Sequence, residues 1–209
     1  MADIFDLFKK ISSTAPASQE PVQFIVVCLG NPGQRFEGSR HNVGFALADY
    51  SAEKRGFKIS RLKFQALSGE TVIAHKKTLF IKPSTFMNLS GQSVVEAMNF
   101  YKIPIERIIV VHDDVSLEPG RLRIRPKGSD GGHNGLKNII QLTGSDQFLR
   151  IKIGVGAKPH PDYDMADWVL SNPKTEDREL IESAIIRADE ALELLIDGKI
   201  DLAMGRYNG

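Results

Sequence analysis

A few polar clusters in this 209-residue chain sit where strand-like runs end or helix-like patterns begin. Leu29-Gly30-Asn31-Pro32-Gly33 follows the apolar run 22–28, and Arg40-His41-Asn42 leads into a helical pattern. Lys82-Pro83-Ser84-Thr85-Phe86-Met87-Asn88 follows the run 77–82. Ile108-Ile109-Val110-Val111 ends at His112-Asp113-Asp114, and the Gly-rich stretch Gly128-Ser129-Asp130-Gly131-Gly132-His133-Asn134-Gly135 opens another helix. Ligands of open α/β sheets bind beyond the carboxyl ends of the strands, so these clusters make up one candidate site.

The residue types define a narrow chemistry. An imidazole serves as a general base near neutral pH. A carboxylate orients it and stabilises the imidazolium. Asparagine amides donate to a developing oxyanion and position water or carbonyl groups. No serine stands in a nucleophile-elbow context, and Cys28 lies inside an apparent strand. That favours direct attack by water over an acyl-enzyme, and hence hydrolysis of an activated acyl bond without metal or cofactor. Plainer readings stay open for each cluster: a hydrogen-bonding His or Asp at a strand end, Asn turn chemistry, a helix cap in the Gly-rich turn. That turn has neither the Gly-Lys-Ser/Thr ending of a phosphate loop nor a Rossmann fingerprint. His112-Asp113-Asp114 offers ligand types for a divalent ion, but no second acidic cluster accompanies it.

The elements that must position these residues read as an α/β pattern. Strands are expected at 22–28, 64–74, 77–82, 107–112, 120–126 and 149–155, and helices at about 42–55, 91–102, 132–142 and 176–197. Gly56 and Gly198 stand at helix C-cap positions, and Pro104 follows the second helix. Leu180, Ile181, Ala184, Ile185, Ala188, Leu192 and Leu195 form one apolar stripe on the last helix. The order predicts a single domain with a mixed sheet covered by helices on both faces. Residues 1–21 form an N-terminal extension: 1–12 place Ile4, Phe5, Leu7, Phe8 and Ile11 at helical spacing, and 12–21 read as a linker. The body is 22–209.

Composition bounds the rest. With 42% hydrophobic and 25% charged residues the chain is an ordinary globular one, and no apolar run is long enough to cross a bilayer. A single cysteine excludes a disulfide framework and a Cys-rich zinc site, and fits a reducing compartment. Asp3 and Asp6, with no arginine before residue 20, argue against a transit peptide and for a cytoplasmic protein. The net charge of +1 hides an asymmetry: residues 121–160 carry eight Lys/Arg against two acids, a local +6, and residues 176–201 carry nine acids against three, a local −6. Arg121, Arg123 and Arg125 alternate with apolar residues, as do Arg150 and Lys152, which puts each basic set on one strand face. Such a face suits a phosphate-bearing ligand or a plain solvated edge.

With these motifs in place, the chain resembles the bacterial-type peptidyl-tRNA hydrolase family over about Phe24 to Ile200. The segments are LGNPG at 29–33, SRHNVGF at 39–45, KPSTFMNLSGQSV at 82–94, HDD at 112–114 and GSDGGHNGLKNI at 128–139. The resemblance implies a monomeric α/β enzyme that cleaves the ester between a peptide and the terminal ribose of tRNA, with no DNA or membrane partner. It implies His41 as the catalytic histidine and Asp113 as its carboxylate partner, with Asn31 beside them. Asn31, Asn88 and Asn134 match asparagines that shape the site and hold substrate or water, and His133 matches a site-wall histidine. Phe86 and Met87 match positions near the bound peptide end, and Arg125 and Lys152 match cations for a tRNA phosphate. Phe36 stands at a substrate-contact position where the family usually has Tyr, and Ser39 replaces a common Thr. Two rival readings are an RNA-binding module without turnover, as in plant relatives linked to intron splicing, and a metal-dependent phosphohydrolase on Asp113 and Asp114.

Overall fold

The computed structural model describes residues 20–209. In chain order the elements are β1 (Phe24–Cys28), α1 (Val43–Arg55), β2 (Arg61–Lys63), β3 (Ala66–Ile73), β4 (Lys76–Pro83), α2 (Ser90–Tyr101), β5 (Ile108–Asp114), β6 (Leu122–Arg125), α3 (Asn134–Thr143), β7 (Leu149–Gly154), α4 (Met165–Leu170), α5 (Thr175–Ile196) and α6 (Ile200–Tyr207). The seven strands form one sheet in the order β2-β3-β4-β1-β5-β7-β6. Its four central strands, β4, β1, β5 and β7, run parallel, and both margins are antiparallel. The sheet is therefore mixed, as the sequence pattern predicts. The expected helix over 1–12 and most of the linker lie outside the described residues.

Side-chain alternation on the central strands builds two cores. Val26 and Cys28 of β1 and Ile109 and Val111 of β5 pack with Leu47 of α1, with Ile181, Ala188 and Leu192 of α5, and with Ala203 and Tyr207 of α6. The intervening Ile25, Val27, Ile108 and Val110 pack with Val94 and Ala97 of α2 and with Leu136 and Ile139 of α3 on the other face. Near-continuous Val/Ile runs are what a parallel strand covered on both sides requires. The apolar stripe of α5 is buried as expected, except Leu180, which is exposed.

The expected strand 64–74 is β3, shortened at its start by a turn, and the short strand β2 before it was not expected. Phe64 and Gln65 both take positive φ and turn β2 into β3, and Ala74 and His75 do the same between β3 and β4. Two-residue hairpins of type I′ need positive φ at both central positions and usually signal it with Asn-Gly or Asp-Gly. Here neither pair carries that signal. The short helices α4 and α6 were likewise not expected.

The chain leaves β1 toward the β4 side of the sheet and leaves β5 toward the β7 side. The crevice between two such strands is where an open α/β sheet places its ligand. Gly44, at the start of α1, fixes how closely that helix meets the end of β1: a Cβ there would lie 2.4 Å from Leu29 O and 2.7 Å from Val111 O. That contact sets the preceding residues, His41 and Asn42, over the strand ends.

Candidate active site

Beyond the ends of β1 and β5 lies a cavity of about 620 Å³, lined by Asn31, His41, Phe86, Met87, Asn88, His112, Asp113, Asp114, His133, Asn134 and Lys152 among others. Ten of the eleven residues assigned to substrate, catalysis or phosphate from the sequence thus fall into two groups. Nine line this cavity. Arg125 is on the exposed face of β6, on the same side of the sheet as Lys152, because Arg123 pairs directly with Lys152 and Arg125 with Arg150. The eleventh, Phe36, is buried behind the wall with its ring edge-on to Phe86, the centroids 6.5 Å apart.

The centre is a carboxylate between two imidazoles. His41 Nδ1 lies 2.8 Å from Asp113 Oδ1, and His133 Nε2 lies 3.1 Å from the same oxygen. The proton positions follow from the partners. His133 caps α3: its Nδ1 accepts from Gly135 N–H at 3.1 Å, so its Nε2 carries the hydrogen and donates to Asp113. The carboxylate only accepts, so His41 Nδ1–H also donates to it, which leaves the lone pair on His41 Nε2. Burial alone would raise the Asp113 carboxyl. The two histidines outweigh it and hold the group well below the usual carboxylate range.

The Gly-rich turn delivers His133 to this point. Gly131 and Gly132 take φ of 59° and 83°, Asp130 Oδ1 accepts from Gly132 N–H at 2.8 Å, and His133 N–H returns to Asp130 O at 3.0 Å. Arg150 underpins the turn. Its guanidinium is buried and donates to the carbonyls of Gly128 and Ser129. Of the two cations that alternation sets on one face of β7, Arg150 is thus a loop anchor. Lys152 remains at the cavity, 2.9 Å from Asp114 Oδ2.

Asn31 is fixed from three sides. Its Oδ1 accepts from Met87 N–H at 2.8 Å, its N–H donates to Asn42 Oδ1 at 2.8 Å, and its carbonyl accepts from Asn42 Nδ2 at 3.0 Å. With Oδ1 committed, Nδ2 is the end of the Asn31 amide left to donate. Asn42 therefore does a positioning job that the sequence reading did not assign, although its place in Arg40-His41-Asn42 put it beside the site. The apolar wall formed by Met165, Ala166, Val169 and Leu170 of α4 was also missed. A six-residue helix shows no readable periodicity.

Among the described residues, His41, Asp113 and His133 could approach one metal ion, with ligand atoms all within 4.8 Å of one another. Their hydrogen bonds argue for a different use. His133 Nδ1 is occupied by the α3 N-terminus, so a metal at Nε2 would displace the proton that this contact fixes there. Asp114 spends its oxygens on Ser116 and Lys152, 2.6 and 2.9 Å away.

His112 sits beneath the centre. Its Nδ1–H donates to the Asp113 carbonyl at 2.7 Å, and its ring meets His133 edge-on at 4.9 Å. Burial, reinforced by His133, pushes its pKa down to about 3. An unfolded histidine titrates near about 6.5, so in the window between these values the unfolded chain binds a proton that the folded chain refuses. Stability therefore falls as pH drops through that window, with His112 contributing up to about 1.4 kcal/mol per pH unit. Denaturant titrations across it should show a shallower slope for His112→Gln, which keeps a donor and cannot titrate. An unchanged slope would show that the folded protein protonates His112.

The chain is similar to known proteins along most of its length. Residues 25–209 match the family model described as peptidyl-tRNA hydrolase. A peptidyl-tRNA hydrolase of Agathobacter rectalis is 51% identical over 186 residues, covering 88% of this chain and all of the relative. One from Caldanaerobacter subterraneus subsp. tengcongensis is 48% identical, covering 89% of this chain and 100% of the relative. The crystal structure of the Acinetobacter baumannii peptidyl-tRNA hydrolase superposes with a TM-score of 0.85 at 34% identity, covering 90% of this chain and 95% of that one. A sheet of this order with these motifs in this sequence order, matched along nearly the whole chain, places the protein: it belongs to the peptidyl-tRNA hydrolase family.

Proposed function

We propose that this protein hydrolyses the ester linking a peptide to the terminal ribose of tRNA, releasing peptide and free tRNA and so recycling tRNA stalled in translation. The observation that carries the mechanism is the 2.8 Å contact between His41 Nδ1 and Asp113 Oδ1 at the cavity. In this reading His41 Nε2 takes a proton from water as the water oxygen bonds to the ester carbonyl carbon. Asp113 stabilises the imidazolium that forms, and Asn31 Nδ2 donates to the carbonyl oxygen as it becomes an oxyanion. Collapse breaks the bond to the ribose oxygen, which recovers the proton from His41.

Asn88 and Asn134 are exposed residues on the same wall, suited to hold water or the peptide's polar groups. Phe86, Met87 and the α4 wall supply apolar contact. Phe36 acts by backing Phe86. Arg125 and Lys152 are the candidates for a tRNA phosphate at the sheet edge, with Lys152 exchanging its Asp114 partner for the phosphate. The catalytic body is 22–209, and because one chain supplies every one of these groups, a monomer suffices. Among the described residues no helix is long and apolar enough to cross a membrane. The cytoplasm, where peptidyl-tRNA arises, is the proposed compartment.

The test is release of N-acetyl-aminoacyl groups from tRNA in the presence of chelator, with unblocked aminoacyl-tRNA as control. Release from the blocked substrate alone is the expected result. Loss of release in chelator would move the mechanism to a metal ion. Tight tRNA binding without release would move the function to RNA binding.

A further inference from the structure

Arg40 immediately precedes His41, yet its side chain turns away from the catalytic cluster. It is 2% exposed. Its guanidinium stacks on Trp168 with the carbon 3.6 Å from the ring centroid. Nη1 donates to Ser171 Oγ at 2.8 Å, Asn172 O at 3.1 Å and Ser171 O at 3.2 Å, and the Arg40 backbone N–H also reaches Ser171 O. Asp177 stands 4.0 Å from Nη2. Trp168 is fixed from its other edge, where Nε1–H donates to Gly156 O at 2.9 Å.

These contacts bear on α4. A helix of six residues is too short to persist on its own propensity. Met165, Ala166, Val169 and Leu170 line the catalytic cavity, whereas Trp168 sits against Arg40. The planar guanidinium stacks on the indole while its Nη1 reaches three acceptors at the helix end, a combination a lysine ammonium cannot reproduce.

We propose that Arg40 is a positioning residue that sets the width of the catalytic cavity, by clamping the α4 wall through Trp168, Ser171 and Asn172 to the turn that carries His41. The clamp fixes the distance between an apolar wall and the reacting centre, so it governs how the substrate is held and leaves proton transfer at His41 alone. This inference rests on the hydrolase reading for its kinetic arm only.

Trp168 is the sole tryptophan of the chain, so its fluorescence reports the clamp without reference to activity. In Arg40→Lys, Trp168 emission should shift to the red and acrylamide quenching should rise. With N-acetyl-aminoacyl-tRNA as substrate, Arg40→Lys and Trp168→Leu should each raise KM about tenfold, the scale of coupling between residues in direct contact. Both should leave kcat and the midpoint of its pH profile unchanged. The double variant should be no worse than either single one, since both remove the same clamp. Unchanged Trp168 fluorescence in Arg40→Lys would overturn the proposal. So would a fall in kcat at constant KM, or KM effects that multiply in the double variant. A wild type without turnover would sink the hydrolase reading, while the fluorescence arm would still decide the clamp.

Discussion

His41→Ala should lower kcat on N-acetyl-aminoacyl-tRNA by about 10²–10⁴, the usual cost of deleting a general base. Three imidazoles crowd the centre, and only one can act as the base. His133 donates its Nε2–H to Asp113 and accepts the α3 N-terminus at Nδ1, so both ring nitrogens are occupied. His112 spends Nδ1–H on a carbonyl, its Nε2 is buried, and its pKa near about 3 makes it a poor base at neutral pH. His41 alone combines a carboxylate partner with a lone pair left at the cavity. The variant should keep its fold, because Asp113 retains the His133 hydrogen bond and Asn42 still locks the Asn31 turn. Single-turnover release rates, alongside thermal melts, check both statements. Wild-type turnover in a folded His41→Ala protein would place the base elsewhere.

How much of this site was legible beforehand depends on the kind of signal each residue leaves. The parallel strands announce themselves, because Val26 and Ile25 face different cores and both must be apolar. Gly56 caps α1 in the left-handed region, as its position after a helical pattern implies. The hairpins at Phe64-Gln65 and Ala74-His75 leave no such trace, since tertiary pairing forces positive φ on residues that do not favour it. Arg150 and Lys152 alternate identically along β7, and period two correctly gives them one face. It cannot tell that the Gly-rich turn covers that face at Arg150 and leaves it open at Lys152. The roles of Arg40 and Asn42 were hidden for a related reason. Each acts through contacts with segments distant in sequence, Ser171 for one and Asn31 for the other.

Asp113→Asn tests the other half of the centre and should cost about 10²–10³ in kcat, the scale of removing one preorganised electrostatic partner of the transition state. The structure separates two contributions that such a change removes together. Both imidazole N–H groups converge on Oδ1 of Asp113. An amide oxygen in that position can still accept both, so the orientation and tautomer of His41 survive in the variant. What is lost is the negative charge opposite the imidazolium as it forms. Near 3% exposure that charge is poorly replaced by water, which is why a nearly isosteric change should be so costly. The two histidines keep the carboxyl ionised far below neutrality, so Asp113 itself does not titrate across the working range. Asp113→Ala removes the acceptor as well as the charge, so comparing the two variants separates the contributions. Near-wild-type kcat in Asp113→Asn beside a large loss in Asp113→Ala would mean that Asp113 serves to orient His41 and contributes no charge stabilisation. Equal losses in the two variants, with the fold intact, would assign the loss to the missing charge.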